Sequence, residues 1–333
     1  MKTIRIAPNE IDLNEIHSVV QNAYSEQSIR RQQTESFDLE HLERFYVCYS
    51  DNKIVGRMAL YTNPKIHYQN KKTALIGNYE CMNDSRVSQS LFEKLWQDLY
   101  LDGFSCVIGP INGSTWYDYR FKTDTENPPF FSEPEQQPFY NEDFLNQGFI
   151  VLGDYQSYLI TDLEKKDEKV NRRIDHFLDN GLIFKSIDKL HLDSELKRLY
   201  EFSMQAFAGN FLFTPISCES FVQKYKSIER IISPEFSIFA EDKNGKLVGF
   251  VFGYPDLYNL EERRLVGKTV AISPLRDYAG IGVVLERMIT DRALENDYHS
   301  MIHAFIKSGT YSSNISKNQG TLYRTYRLYV KHI

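Results

Sequence analysis

The chain has 333 residues, and its 39 lysines and arginines against 45 aspartates and glutamates give a formal net charge of −6. This length suits two domains, and the acidic balance gives no support to a broad nucleic-acid surface. No stretch approaches the roughly 20 apolar residues of a membrane span, and the first residues lack the apolar run of a signal peptide. We therefore expect a cytoplasmic protein with no nucleic-acid or membrane partner. The sequence leaves its oligomeric state open.

The clearest pattern along the chain is an internal repeat at the scale of a domain. The segment FYVCYSDNKIVGRMALY (45–61) has two apolar runs joined by turn residues, which predicts a β-hairpin. The segment FSIFAEDKNGKLVGFVFGY (236–254) repeats it, with Gly249 in the place of Gly56. Two related halves are the simplest explanation.

A second pair of similar segments lies near the end of each half: NQGFIVLGDYQSYL (146–159) resembles NQGTLYRTYRLYV (318–330). Both halves run in the order strand, helices, hairpin, fourth strand, amphipathic helix, fifth strand and tyrosine-rich last strand. This order predicts an α/β fold in which helices flank a mixed sheet. We predict domains at 1–162 and 175–333, joined by the charged segment 163–174 as a linker that can itself be helical.

The four cysteines have no CxxC spacing, and three of them lie in strand-like runs. We predict buried free thiols in preference to a metal site or a disulfide framework. The four are Cys48, Cys81, Cys106 and Cys218.

The segment SPLRDYAGIGVV (273–284) joins the fourth strand of the second half to an amphipathic helix. The start of a helix presents free amide groups and a partial positive charge, and glycines let phosphate oxygens approach them. Gly280 and Gly282 therefore suit a phosphate-binding loop, although an ordinary loop with glycines for tight packing is the alternative. The apolar stripe of the helix comprises Ile281, Val284, Leu285, Met288 and Ile289.

These features together resemble the GNAT superfamily of acyl-CoA N-acyltransferases, present here in tandem. The stretches 109–121, 128–134 and 138–149 also resemble bacterial two-domain GNAT-like proteins, so the resemblance covers nearly the whole chain. It implies two tandem GNAT-like domains, each a mixed, mostly antiparallel sheet flanked by helices. It also implies an acyltransferase of groups other than aminoacyl groups. Such an enzyme moves an acyl group, usually acetyl, from acetyl-CoA or another acyl-CoA to a small amine without a metal.

In the family, a loop of the form Q/R-x-x-G-x-G/A binds the pyrophosphate of coenzyme A. Gly280 and Gly282 match its glycines, whereas Asp277 stands at the Q/R place and Arg276 precedes it. We expect Arg276 to supply the missing cation. The resemblance implies a coenzyme site made by Ala271, Ile272, Arg276, Ala279, Gly280, Ile281, Gly282 and Val283.

The equivalent stretch of the first half, ECMNDSRVSQSLF, has no glycine. Asp84 or Ser85 is suited to cap the following helix, and a carboxylate there would occupy the field that a pyrophosphate needs. The first half is therefore predicted to be degenerate for cofactor binding.

The groups for acid–base catalysis are less clear. The fourth strand of the second half, KTVAIS, offers no carboxylate, and counting back from Gly320 puts Gly309 and Ser316 where the family has Asn and Tyr. The catalytic candidates by proximity are Tyr311, His303 and Asn314, with Tyr311 the first to test as proton donor. The alternatives are a half-buried strand histidine at 303 and turn residues at 311 and 314.

A loop of the first half carries the candidate substrate-binding residues Trp116, Tyr119 and Arg120. Loops at strand ends are where open α/β sheets bind ligands, so we predict an acceptor pocket for the amine between the halves. Packing of the two halves against each other is the alternative role of these aromatic residues.

Two other functions stay open. A non-catalytic acyl-CoA-binding protein would explain the missing Asn and Tyr. A tandem GNAT-like aminoacyl or peptidyl transferase would act on a polymer, which the acidic charge balance does not favour.

Overall fold

The computed structural model describes residues 1–24, 37–165 and 167–333. The chain forms two compact units. The first contains Met1–Asn127, Glu133–Tyr155 and Arg324–Ile333, and the second contains Pro128–Ser132 and Gln156–Tyr323. The last residues of the chain, Arg324–Ile333, thus belong to the first unit. The predicted second domain, 175–333, had included them.

The first unit is a mixed sheet with helices. Its strands lie in the order β1-β2-β3-β4-β5-β13, in which β4 and β5 are parallel and the other neighbouring strands are antiparallel. The elements are β1 (Lys2–Ile6), α1 (Leu13–Ala23), β2 (Leu42–Ser50), β3 (Lys53–Tyr61), β4 (Thr73–Cys81), α2 (Ser85–Leu101), β5 (Cys106–Gly109), β6 (Phe121–Lys122), α3 (Tyr140–Asn146), the first part of β7 (Ile150–Ile160) and most of β13 (Thr321–His332).

The second unit repeats this plan, with strand order β12-β11-β10-β9-β8 and the parallel pair at β11 and β12. Its elements are α4 (Glu168–Asp179), β8 (Ile183–Ser186), α5 (Leu192–Ala206), α6 (Cys218–Ser227), β9 (Ser237–Glu241), β10 (Leu247–Pro255), β11 (Arg264–Ile272), α7 (Ile281–Glu295), β12 (Ser300–Lys307) and α8 (Tyr311–Gln319). The predicted mixed α/β fold is confirmed. Helix α4 occupies part of the predicted linker, of which Lys166 lies outside the described residues.

The repeated hairpin glycines have the same packing role in both units. A Cβ atom on Gly56 would lie 2.6 Å from Val87 Cγ1 of α2, and one on Gly249 would lie 3.0 Å from Leu285 Cδ1 of α7. Each glycine therefore lets the amphipathic helix approach the second strand of the hairpin closely. The predicted apolar stripe of α7 faces the core: Ile281, Val284, Leu285 and Ile289 are buried, and Met288 packs against them.

The predicted free thiols are confirmed. Cys48, Cys81 and Cys106 are buried on strands, and Cys218 is half-buried at the start of α6. None of the helices in the described ranges is both long and apolar enough to cross a membrane.

Candidate functional site

In the second unit, the parallel strands β11 and β12 separate at one end. Strands β11 and β12 pair from Arg264 and Ser300 to Gly267 and His303, but β11 continues to Ile272. Among the described residues, no β12 residue pairs with β11 beyond Gly267 in this register, and we call the last segment of the strand, residues 270–272, the free edge of β11. Backbone groups on such an edge need another hydrogen-bonding partner, which is water or a ligand.

This free edge of β11 is apolar and accessible. The side chains of Val270 and Ile272 are 45% and 38% exposed, whereas Ala271 between them is buried. Gly282 lies beside the two exposed side chains, because a Cβ placed on it would be 3.5 Å from Ile272 Cγ2 and 3.9 Å from Val270 Cγ1. The strand end and the helix start thus form one continuous surface.

Helix α7 begins on this surface without a side-chain cap in the described part of the chain. Its N-cap residue is Gly280, which has φ +93°, a left-handed conformation that favours glycine. The first amide groups of a helix have no partner within the helix, so the amides of Ile281, Gly282 and Val283 are available for an anion. Ile281 itself is buried in the core, so only its backbone can face a ligand.

A cation from another helix lies at this point. A Cβ on Gly280 would overlap the Nη1 atom of Arg173, so the Arg173 guanidinium rests on the glycine that starts α7. Arg173 is an exposed residue of α4, and helix α4 packs against α7. A positive charge at the positive end of a helix dipole is unfavourable by itself and becomes favourable when an anion binds between them. Sequence reasoning missed Arg173, because the charged segment around it gave no sign of which lysine or arginine would reach the loop.

The other predicted residues of this loop are accessible. Arg276, Asp277 and Ala279 are exposed in the turn that precedes Gly280. The structure therefore gathers all eight predicted coenzyme-binding residues at the end of β11 and the start of α7. Their role in binding a coenzyme stays a prediction.

In the first unit, the equivalent surface at the end of β4 is buried. Every residue of β4 is buried, and strands β4 and β5 pair only from Thr73 and Cys106 to Leu75 and Ile108. The backbone beyond this pairing is bonded to side chains of its own unit. Asn78 N donates to Asn112 Oδ1 at 2.9 Å, and Cys81 N donates to Tyr140 Oη at 3.0 Å.

Tyr140 also donates to Glu80 Oε2 at 2.8 Å. Burial raises the pKa of the Tyr140 hydroxyl well above its usual range, so it stays protonated as a donor. The edge of β4 has thereby become part of the hydrophobic core.

The start of helix α2 is occupied by a carboxylate, as the sequence predicted. Asp84 Oδ1 accepts a hydrogen bond from Arg86 N at 2.9 Å, and Asp84 Oδ2 accepts one from Arg86 Nη2 at 2.7 Å. These bonds with Arg86 hold the pKa of the Asp84 carboxyl below its usual value, so the carboxylate is charged at neutral pH. The prediction of an internal cap is confirmed for Asp84.

The three catalytic candidates lie in different surroundings. Tyr311, the first residue of α8, is 73% exposed, and Asn314 is exposed one turn later. His303 is buried on β12 and bonded to Ser316, not to either of these residues. The prediction that any of the three is catalytic stays a prediction.

The predicted substrate-binding residues lie on the loop after β5 in the first unit. The Arg120 guanidinium lies over the rings of Tyr119 and Tyr155, at 3.9 and 4.5 Å from their centroids. Arg120 is buried, and Trp116 and Tyr119 are half-buried. Their predicted place in an acceptor pocket stays a prediction.

The chain has the fold of the GCN5-related N-acetyltransferases. A solved enzyme of this class from Sphaerobacter thermophilus aligns over 99% of this chain and 95% of its own, with 13% identity and a TM-score of 0.53. A tandem GNAT protein from the clavulanic acid biosynthesis pathway aligns over 99% and 98%, with 10% identity and a TM-score of 0.53. A fungal multi-domain protein with a GCN5-related glucosamine N-acetyltransferase region gives 16% identity and a TM-score of 0.57, and this chain covers 38% of it. The predicted tandem GNAT-like architecture is confirmed at the level of the fold.

One curated relative shares sequence similarity with part of the chain. It is named bacterial ceramide synthase, from Caulobacter vibrioides (strain NA1000 / CB15N), and is 23% identical over 176 residues. The match covers 53% of this chain and 46% of the relative, less than half of its length. No profile of a known protein family matches the chain.

Proposed function

We propose that this protein is an acyl-CoA-dependent N-acyltransferase that binds its acyl donor in the second unit and transfers the acyl group to a small amine. Acetyl-CoA is the simplest such donor. The name of the curated relative extends the proposal to longer acyl chains, because a ceramide is the amide of a long-chain fatty acid.

One observation carries the proposal: the same surface is open in the second unit and closed in the first. The free edge of β11 offers backbone groups and the apolar side chains of Val270 and Ile272 to an extended chain of amides and methylenes, which is the chemistry of pantetheine. At its end, the uncapped start of α7 and the Arg173 guanidinium offer donors and positive charge to a diphosphate.

Arg276 is the second cation for the phosphates in this proposal, and its exposed side chain is free to turn toward them. Asp277, also exposed, must turn away. Of the eight predicted residues, the backbone amides from Ile281 to Val283 would make the phosphate contacts, and Ala271 and Ile272 would flank the pantetheine.

Binding of acetyl-CoA to two matched variants tests the proposal. Gly282→Asp places a carboxylate at the start of α7, where it stabilises the helix dipole but occupies the field of the diphosphate. We expect acetyl-CoA binding, measured by titration calorimetry, to be lost in Gly282→Asp at an unchanged melting temperature. The control, Asp84→Ala at the start of α2, should bind as the wild type does.

The possible outcomes separate three functions. Undiminished binding by Gly282→Asp would overturn the donor site. Binding by the wild type without acylation of any of a broad panel of amines would favour a non-catalytic acyl-CoA-binding protein. A wild type that ignores acyl-CoA but accepts an aminoacyl-tRNA would be an aminoacyl transferase of the same fold.

A further inference from the structure

A buried histidine stands where strands β11 and β12 separate. His303 and Gly267 are the last pair of residues in the parallel register, and the free edge of β11 begins three residues later at Val270. His303 is 9% exposed, and a histidine so far inside a protein needs partners for both ring nitrogens. Its partners show what this position can do chemically.

Two side chains from two helices meet the His303 ring. Nδ1 lies 2.9 Å from the Oγ atom of Ser316 on α8, and Nε2 lies 3.6 Å from the Oε1 atom of Glu286 on α7. Ser316 is 3% exposed. The Glu286 carboxylate favours the tautomer with its proton on Nε2, so Nδ1 is left as a lone pair that accepts from the Ser316 hydroxyl.

This group lies within reach of the thiol end of a bound donor. The strand from Ile272 back to Gly267 spans about 17 Å at the usual rise per residue. The pantetheine arm of coenzyme A has about twelve bonds between its phosphate and its sulfur, or about 14 Å when extended. An arm extended along β11 from a diphosphate beside Ile272 would therefore bring the sulfur to within a few ångströms of Gly267, the residue that pairs with His303.

We propose that Ser316 and His303 form the proton relay of the acyl transfer, with Glu286 as the positioning residue. This inference rests on the proposed function. As the amine nitrogen bonds to the thioester carbon, its proton passes to Ser316 Oγ while the Ser316 proton passes to His303 Nδ1. When the carbon–sulfur bond breaks, the proton returns by the same path to the departing sulfur. One proton thus moves from nitrogen to sulfur, and the protein is unchanged.

The surroundings of the ring fit this cycle. Burial lowers the pKa of His303, so the imidazole is neutral and ready to accept a proton at neutral pH. Among the described residues, Glu286 on α7 is the charged group that faces the ring, Ser316 on α8 is uncharged, and Gly267 on β11 brings no side chain. The imidazolium formed during the reaction would be stabilised by the Glu286 carboxylate.

The test uses Ser316→Ala and His303→Gln, with Ser313→Ala as the matched control, since Ser313 is also buried on α8. Acetyl-CoA is the donor, and the acceptor is whichever of octylamine, phenethylamine, glucosamine or glycine the wild type acetylates fastest. Loss of a positioned acid–base group costs roughly 10²–10⁴-fold in rate. We expect losses in that range in kcat for both relay variants, with KM for acetyl-CoA unchanged, and Ser313→Ala within twofold of wild type.

Two further measurements keep the result decisive if a variant loses stability. Ser316→Thr keeps the hydroxyl and should recover most of the rate, and the acidic limb of the kcat–pH profile should disappear in His303→Gln. Activity of Ser316→Ala within twofold of wild type would overturn the relay. A large loss of activity in Tyr311→Phe, with no such loss in the two relay variants, would also overturn it. Failure of the wild type to bind acetyl-CoA would instead overturn the proposed function.

Discussion

The contact between Arg173 and Gly280 gives a sharp prediction about how the donor is held. Replacing Arg173 with Gln removes the guanidinium that lies on Gly280, the N-cap residue of α7, and leaves a shorter, uncharged polar side chain. Arg172→Gln is the matched control, because Arg172 is the exposed neighbour on the same helix. Only the first change should weaken acetyl-CoA binding.

The size of the effect follows from the position of the charge. Two unit charges 4 Å apart interact by about 1 kcal/mol in water and about 4 kcal/mol at the effective dielectric constant near a protein surface. Arg173 is exposed, so screening keeps the value near the lower end, and we take about 1.4 kcal/mol. The dissociation constant of acetyl-CoA should therefore rise about tenfold in Arg173→Gln.

Calorimetry at low and high ionic strength measures this. The wild-type affinity should fall with added salt, and the fall should be smaller in Arg173→Gln. S-acetyl-pantetheine, which lacks the diphosphate, should bind the wild type and both variants equally. Equal affinities of Arg173→Gln and Arg172→Gln for acetyl-CoA would refute the reasoning.

Two other expectations concern glycine conformation and pH. Gly280→Ala should lose acetyl-CoA affinity because its methyl group displaces Arg173. Gly245→Ala is the control: Gly245 also has a positive φ, but the space around its Cβ position is open, so this variant should keep its affinity. Thermal unfolding should show that each variant is destabilised by about 1–2 kcal/mol, the cost of a left-handed backbone at a residue with a Cβ. Burial lowers the pKa of His303 below its unfolded value, so the neutral ring contributes stability at neutral pH that is lost as the pH falls below about 6.5. The melting temperature of His303→Gln should consequently fall less than that of the wild type as the pH is lowered from neutral to mildly acidic, and parallel curves would contradict this.

The sequence predicted the elements of the fold well where apolar periodicity was strong. The two hairpins and the stripe of α7 follow from local patterns of two or 3.6 residues, and the matched glycines 56 and 249 identified the repeat correctly. The return of β13 to pair with β5 in the first unit depends on contacts far apart in sequence. No local pattern distinguishes such a strand from one that ends the second unit.

The sequence predicted the backbone segment of the candidate site but not the side chains from other helices that contact it. Glycines at a strand-to-helix turn are visible in a sequence because their conformation is special. By contrast, the guanidinium on Gly280 comes from α4, and the hydroxyl on His303 comes from α8. These contacts depend on how helices pack, so the sequence pointed to His303 and to position 316 separately but not to their contact, and it did not point to Glu286.

The two units differ in more than the two glycines, Gly280 and Gly282, that the equivalent stretch of the first unit lacks. In the first unit the far end of β4 is held by hydrogen bonds from Asn78 and Cys81 to the side chains of Asn112 and Tyr140, and its whole length is buried. Opening that edge would expose aromatic side chains such as Tyr140, at roughly 1.5–3 kcal/mol for each large apolar group, and would break buried hydrogen bonds besides. In the first unit this end of β4 is therefore part of the core. In the second unit no β12 residue pairs with β11 beyond Gly267 among the described residues, so the backbone groups of residues 270–272 remain accessible to water or to the proposed donor.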